Sequence, residues 1–212
     1  MADVVEAAAP EGRKLGTWLF NPFHYVAGGQ ALLIGLVAVL AAAVIGSLSN
    51  THFDGVLDVH TGLEAPLWVF VFESVMDWLA LGAVLFVGGA LVSKSRFRAL
   101  DVFGTQALAR APTLVTVVLA LLPGYQRYLQ YFVAKYMGQT VDVEIGALDP
   151  FVCCVALMGM LLMLVWMVAL MYRAFAVSCN VRGCKAIGTF IACLLAAEAV
   201  TKALSWAALQ VT

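Results

Sequence analysis

The chain has few charged residues, and this scarcity excludes a water-soluble globular protein. Asp, Glu, Lys and Arg make up 12% of the 212 residues, whereas 63% are hydrophobic. Soluble domains average about 25% charged and about 45–50% apolar residues. The formal net charge is −1, so the chain also lacks the overall basicity that attracts nucleic acid. The composition therefore predicts a membrane protein without a nucleic acid partner.

Two further absences narrow the function. The five cysteines do not form a disulfide framework, because their number is odd and all lie in or beside the last two hydrophobic segments. The sequence also contains no nucleophile elbow, phosphate-binding glycine loop, dinucleotide fingerprint or base–nucleophile pair. We therefore predict that the protein is not an enzyme and carries no organic cofactor.

Five apolar stretches are long enough to cross a bilayer, for which roughly 20 largely apolar residues are needed. They are residues 26–48, 66–92, 100–122, 150–172 and 186–209. They predict an all-α fold, a polytopic membrane helix bundle with five transmembrane helices. Residues 1–25 would form a short cytoplasmic N-terminal tail and residues 26–212 the transmembrane domain. The lipid bilayer is then the first partner of the protein.

The Lys and Arg residues outside these spans fall mainly on alternate connections. Eight lie in the tail, the second connection or the fourth connection: Arg13, Lys14, Lys94, Arg96, Arg98, Arg173, Arg182 and Lys185. The third connection has only Arg127 and Lys135, and the first has neither Lys nor Arg. Because basic residues favour the cytoplasmic side, we expect the N-terminus inside and the C-terminus outside. We also expect protein partners to meet the basic inner connections.

Two patterns concern how the helices pack. Small residues recur one helical turn apart in the first and fifth spans: Ala38, Ala42, Gly46, Gly188, Ala192 and Ala196. Such spacing lets helices approach closely, within the bundle or in a homo-oligomer. Aromatic and polar residues alternate at helical spacing over residues 125–137. This segment is either a helix along the outer surface or a continuation of the third span bent at Pro123.

Five charged residues fall at bilayer depth within the predicted spans: Glu73, Asp77, Arg110, Glu198 and Lys202. A charge at bilayer depth costs roughly 2.5–3.5 kcal/mol on insertion scales, so such residues seldom face lipid. One interpretation is a proton, ion or substrate pathway. The other is a charge-paired core, in which Arg110 bridges Asp77 or Glu198 and Lys202 pairs with Glu198 one turn away. The near-balance of charge favours the second interpretation.

The first connection contains two imidazoles and two carboxylates within nine residues: His52, Asp54, Asp58 and His60. Imidazole and carboxylate together suit a divalent transition metal; apart from this loop, the sequence indicates no cofactor. The spacing matches no established metal-binding signature, however. The other interpretation is a polar loop that turns at Asp54-Gly55.

Three segments carry a resemblance to a known family. They are Trp18-Leu19-Phe20-Asn21-Pro22-Phe23, then Phe103-Gly104-Thr105-Gln106-Ala107 leading to Pro112, then Trp166 followed by Met171-Tyr172-Arg173-Ala174 and Gly183-Cys184-Lys185-Ala186. In these segments the chain resembles the Yip (Ypt-interacting protein) domain family. The resemblance implies five helices with a cytoplasmic N-terminus and, in eukaryotes, an association with Rab-type GTPases and vesicle traffic. The tail is shorter than in eukaryotic members, which favours a bacterial cytoplasmic (inner) membrane protein.

From these patterns we predict a non-catalytic integral membrane protein that acts as a membrane-organising, trafficking-like or adaptor component. The alternative is a small transporter, or an ion- or metal-handling protein, that uses the intramembrane carboxylates and the outer His/Asp loop. A membrane-embedded metal enzyme is a third and weaker interpretation.

Overall fold

A computed structural model of the chain describes residues 15–62, 64–137 and 143–209. Its helices are α1 (Leu15–Phe20), α2 (Gly28–Leu48), α3 (Leu67–Val92), α4 (Ala99–Ala109), α5 (Thr113–Ala120), α6 (Pro123–Tyr136), α7 (Asp149–Ser178) and α8 (Gly183–Leu209). A 3-10 turn at Pro22–His24 follows α1, and two short strands, β1 (Thr51–His52) and β2 (His60–Thr61), lie between α2 and α3.

The structure confirms the all-α bundle of five span-length helices. The five segments long and apolar enough to cross a membrane are α2, α3, α4 together with α5, α7 and α8. We conclude that the protein is an integral membrane protein. The largest difference from the predicted ends is in α7, which continues to Ser178 where the prediction stopped at residue 172. Residues 1–14 of the predicted tail lie outside the described ranges.

The third span is interrupted where Pro112 lacks a backbone donor. Helix α4 ends at Ala109 and α5 begins at Thr113. The backbone N–H of Thr113 donates to the carbonyl of Arg110 at 3.0 Å, and the Thr113 hydroxyl donates to the same oxygen at 2.7 Å. The carbonyl of Leu108, four residues before Pro112, loses its usual helical donor and accepts instead from the backbone N–H of Ala111 at 3.1 Å. The backbone at the break is therefore satisfied within the protein, as bilayer depth requires.

Small residues let α2 approach α4 closely. Ala38, Ala42 and Gly46 are all buried in α2. A Cβ atom at Gly35 would overlap the backbone of Ala107 and Leu108 in α4. The corresponding small residues of α8 are different: Gly188, Ala192 and Ala196 are all exposed. The pattern in the first span thus serves packing within the chain, whereas the pattern in the fifth span faces outward.

Helix α6 is a helix of its own, separated from α5 by Leu121 and Leu122. It packs on α7, where Tyr125 joins a small buried cluster with Cys153 and Ala156. Its Arg127 also donates two hydrogen bonds, of 2.8 and 2.7 Å, to the carboxylate of Asp149 at the start of α7. The position of α6 relative to the membrane surface stays a prediction.

Hydrogen bonds join the second connection to the fourth at one end of the bundle, and the first to the third at the opposite end. At one end, the Ser93 hydroxyl after α3 donates to the carbonyl of Cys179 after α7 at 2.7 Å. At the other end, the hydroxyls of Thr61 and Tyr125 lie 2.8 Å apart and join the first and third connections. Alternate connections therefore share an end. Which end faces the cytoplasm stays a prediction, and the terms inner and outer follow that prediction below.

Candidate functional site

The first connection folds as a hairpin of residues 50–62 rather than as an open loop. Strands β1 and β2 pair antiparallel, with Thr51 opposite Thr61 and His52 opposite His60. The turn out of α2 is made by Asn50, whose φ is +48°, and the N–H of Gly62 donates to the Asn50 carbonyl at 3.0 Å. The pairing brings the two histidines side by side, with ring centroids 5.3 Å apart.

The tip of the hairpin inserts among the helices. Val56 is only 1% exposed and belongs to the same buried cluster as Leu81 and Leu85 of α3. The backbone N–H of the neighbouring Leu57 meets Glu198 of α8, which is eleven residues from the end of that helix and so at a depth of about 16 Å. Non-helical backbone is tolerated so deep only where protein or a water-filled cavity surrounds it. The predicted outer loop is therefore a re-entrant segment, and its polar residues belong to the interior of the outer half of the bundle.

Helix α8 holds the tip through three polar side chains. The carboxylate of Glu198 accepts a hydrogen bond of 2.8 Å from the backbone N–H of Leu57. The ammonium of Lys202 donates to Asp54 at 2.9 Å and also to Asp58. The hydroxyl of Ser205 donates to the carbonyl of Asp54 at 3.3 Å. Lys202 thus pairs with the hairpin and not with Glu198, the partner that its spacing along the helix predicted.

Helix α3 holds the base of the hairpin through His52. The His52 Nδ1 atom lies 3.0 Å from a carboxylate oxygen of Glu73, and both side chains are largely buried. The imidazole also stacks on Phe70, with a centroid distance of 4.2 Å. Glu73 and Phe70 of α3 therefore fix the orientation of the His52 ring and attach the hairpin to this helix.

Three of the four predicted metal ligands come together on the second half of the hairpin and its turn. One atom each of Asp54, Asp58 and His60 can be chosen so that all lie within 4.8 Å of one another. His60 Nδ1 is 3.3 Å from Asp54, and this imidazole, followed by the Lys202 ammonium, lowers the pKa of Asp54 to about 2, although burial opposes the shift. The fourth predicted residue, His52, contacts Glu73 instead. Among the described residues, this is the one group found with the composition and spacing of a metal site.

A second ion pair lies deeper and is more completely buried. Arg110 Nη2 donates to Asp77 at 3.1 Å, and both side chains are 2% exposed. Asp77 was one of the two partners that the sequence predicted for Arg110. Within the described part of the chain, the Nη1 atom of Arg110 and the Oε1 atom of Gln106 have no hydrogen-bond partner. The pair joins α3 to the break in the third span.

The whole cluster has more acids than permanent cations. It contains the carboxylates of Asp54, Asp58, Glu73, Asp77 and Glu198, and the two cations Arg110 and Lys202. The imidazoles of His52 and His60 supply the remaining polar groups. Because ionised carboxylates at this depth need compensation, the cluster favours positively charged or hydrogen-bond-donating groups and disfavours anions.

A cavity of about 240 Å³ opens beside the hairpin. The hairpin contributes Asp58 and Thr61 to its lining, α5 contributes Thr116, and α7 contributes apolar side chains such as Leu157 and Met160. The hairpin also contributes Phe53, Leu57 and Val59, so its wall is mixed, whereas the α7 wall is apolar. Asp58 is the member of the charged cluster that reaches this space.

Comparison with protein-family models, curated proteins and solved structures gave no match to this chain. The resemblance to the Yip domain family therefore stays a prediction, and the geometry of the hairpin and its partners carries the functional inference.

Sequence reasoning missed the insertion of the hairpin and the residues that anchor it, Ser205 and the backbone of Leu57. One signal was present. Four of the seven residues from Phe53 to Val59 are apolar, which is unusual for a solvated loop and favours a segment that buries part of its surface.

Proposed function

We propose that the protein is a non-catalytic membrane-organising or adaptor component of the Yip-domain type, in a bacterial cytoplasmic membrane. The observation that carries this proposal is the pairing of the intramembrane charges. Glu73 contacts His52, Asp77 contacts Arg110, Glu198 accepts from the Leu57 N–H, and Lys202 contacts two aspartates. These contacts fix the hairpin and three spans relative to one another. Such an arrangement suits a scaffold better than a path along which an ion must move.

The inner end of the bundle offers the surface on which partners would dock. Lys94, Arg96, Arg182 and Lys185 are exposed there. The two connections that carry them are held together by the bond from Ser93 to the Cys179 carbonyl. The positive charge is thus presented on a fixed base, which supports recognition of an acidic surface on a partner protein. The exposed small residues of α8 leave room for a homo-oligomer as well.

The charge-paired core can be tested by removing one partner and then both. Asp77→Asn leaves the buried Arg110 guanidinium without its carboxylate, and breaking a buried pair in this way typically costs about 3–5 kcal/mol. We expect a clearly lower melting temperature in detergent, which Asp77→Asn combined with Arg110→Met partly restores. Thermal unfolding of the purified protein measures both effects.

The matched control is Asp101→Asn, which breaks the exposed pair between Arg98 and Asp101. We expect little change there, because exposed ion pairs contribute little to stability. If Asp77→Asn melted like the unmodified protein, the charged pair would not be structural and the proposal would lose its main support.

A small ion transporter is the second candidate, favoured by the position of Asp58 in the lining of the cavity. A transport role predicts that replacing a charged residue in the spans does not lower the melting temperature. Asp77→Asn or Glu198→Gln would then leave folding intact and abolish a flux. Uptake of protons, Zn²⁺ or Mn²⁺ into proteoliposomes, measured with internal dyes, distinguishes the two candidates. A flux in the unmodified protein that Asp77→Asn removes without a change in melting temperature would favour transport.

A further inference from the structure

We infer that Asp54, Asp58 and His60 form a Zn²⁺ site in which the Lys202 ammonium is a resident cation that the metal displaces. This inference goes beyond the proposed scaffold role, since it assigns a ligand and an exchange reaction to the hairpin. It is independent of whether the basic inner end binds a protein partner.

The first support is the spacing of the donor atoms. Zinc bonds to oxygen and nitrogen ligands of about 2.0–2.2 Å place two ligands of a tetrahedral site about 3.3 Å apart. His60 Nδ1 and Asp54 Oδ1 are 3.3 Å apart. All three groups offer an atom within 4.8 Å of the others, so the three-ligand set needs only a closer approach of side chains that are already neighbours. One imidazole and two carboxylates form a donor set that suits Zn²⁺.

The second support is that a cation already occupies this position. The Lys202 ammonium is bound by both Asp54 and Asp58, the two carboxylates that the metal would need. The position is therefore attractive to positive charge, and Zn²⁺ and the ammonium cannot hold the same oxygens together. A divalent ion would also compensate the excess of carboxylates more completely than the ammonium does.

The third support is that Lys202 is able to leave. Its side chain is 39% exposed and is carried seven residues before the end of α8, or about 10 Å from the outer end of the helix. A long lysine side chain at this depth can extend to the membrane surface while it keeps its charge. Lys202 keeps its proton in this exchange: Zn²⁺ enters, and the ammonium moves to the aqueous interface. The His60 Nδ1 atom must be unprotonated to bind the metal, so the proton that it donates to Asp54 leaves to solvent, or the ring carries its one proton on Nε2 instead. His60 meanwhile keeps its ring plane, because it stacks on His52 with an interplanar angle of 10°.

The exchange makes a specific prediction for the lysine. Removing the resident cation with Lys202→Met should tighten Zn²⁺ binding at least tenfold, whereas Lys202→Arg keeps a competing cation and should show no such gain. Competition against a chelating dye, with the full-length protein purified in detergent and freed of metal, measures the affinity. Lys185→Met, at the opposite end of α8, is the control for a general loss of positive charge.

The ligands make the converse prediction. Asp58→Asn and His60→Ala, each introduced into the Lys202→Met background, should weaken Zn²⁺ binding at least tenfold. His52→Phe should not, because the ring at this position contacts Glu73 rather than the metal and phenylalanine keeps the stack against His60; its melting temperature shows whether it still folds. The inference is overturned if Lys202→Met binds Zn²⁺ no more tightly than the unmodified protein. It is also overturned if neither protein binds Zn²⁺, or if Mg²⁺ at the same concentration competes equally.

Discussion

Glu198 lies about 16 Å from the outer end of α8, where an ionised carboxylate is costly unless its oxygens are hydrogen-bonded. The structure satisfies it with a backbone donor, the N–H of Leu57, at 2.8 Å. That approach depends on the residue two positions earlier. A Cβ atom at Gly55 would lie 2.5 Å from Glu198 Oε1, so the absence of a side chain there lets the hairpin tip reach the carboxylate.

Gly55→Ala should therefore lower the stability of the protein by about 1–3 kcal/mol, the usual cost of an added methyl group in a packed interior. The added methyl group would push the tip away from Glu198 and weaken the bond to Leu57. Thermal unfolding in detergent measures the change. Gly188→Ala in α8 is the matched control, because its Cβ would meet nothing within 4 Å and alanine favours helix. Equal melting of both variants would show that the hairpin tip is not held by Glu198.

At the same scale, the sequence identifies the polar residues of the site but not their partners. Asp54, Asp58 and His60 are close along the chain, so a shared site could be predicted from their types and spacing. Lys202 follows Asp58 by 144 residues, and only the packing of α8 beside the hairpin brings them together. The spacing of Glu198 and Lys202 along one helix predicted an internal pair instead. A contact between a helix and a distant non-helical segment produces no periodic pattern in the sequence, so it could not be predicted.

Among the elements, hydropathy predicts where the spans are but does not predict which spans pair. The small-residue pattern occurs in both α2 and α8, yet only in α2 is it buried. The difference comes from what lies opposite. Helix α4 presents the backbone of Ala107 and Leu108 to Gly35, and Gly104 of α4 approaches the carbonyl of Gly28 in return. Close approach requires small residues on both helices, a condition that the sequence of one helix cannot reveal.

Gly35→Ala should separate α2 from α4 and destabilise the bundle by at least about 1–3 kcal/mol, because its methyl group would overlap backbone atoms that cannot move alone. Unfolding in mixed detergent and sodium dodecyl sulfate measures the loss. Gly29→Ala, in the same helix, is the control, since its Cβ would meet nothing within 4 Å. If Gly35→Ala unfolded like Gly29→Ala, α2 and α4 would not be in backbone contact in the native protein.

For the whole molecule, the bilayer explains why the fold class is predictable and the re-entrant hairpin is not. In lipid, the backbone N–H and C=O groups of each span must form hydrogen bonds within the protein. This requirement favours long apolar helices, which can be predicted from hydropathy alone. The hairpin avoids this requirement because helices surround its tip, as the burial of Phe53 and Val56 shows. Its short length and its acids make it look like a solvated connection. The spans can therefore be predicted from local sequence, whereas the position of the hairpin depends on the space that remains between the packed helices.

The orientation of the molecule decides from which compartment a metal ion or other ligand reaches the hairpin and its cavity. The distribution of Lys and Arg predicts that the second connection lies inside and the hairpin outside. After replacement of the exposed Cys154 and Cys184, a membrane-impermeant maleimide should label Glu64→Cys in intact cells and Lys94→Cys only after permeabilisation, since both positions are exposed at opposite ends. The reverse pattern would invert the bundle. The basic connections would then lie outside, away from cytoplasmic partners, and Zn²⁺ would reach Asp58 and His60 from the cytoplasm, where free zinc is scarce because abundant thiolate ligands bind it.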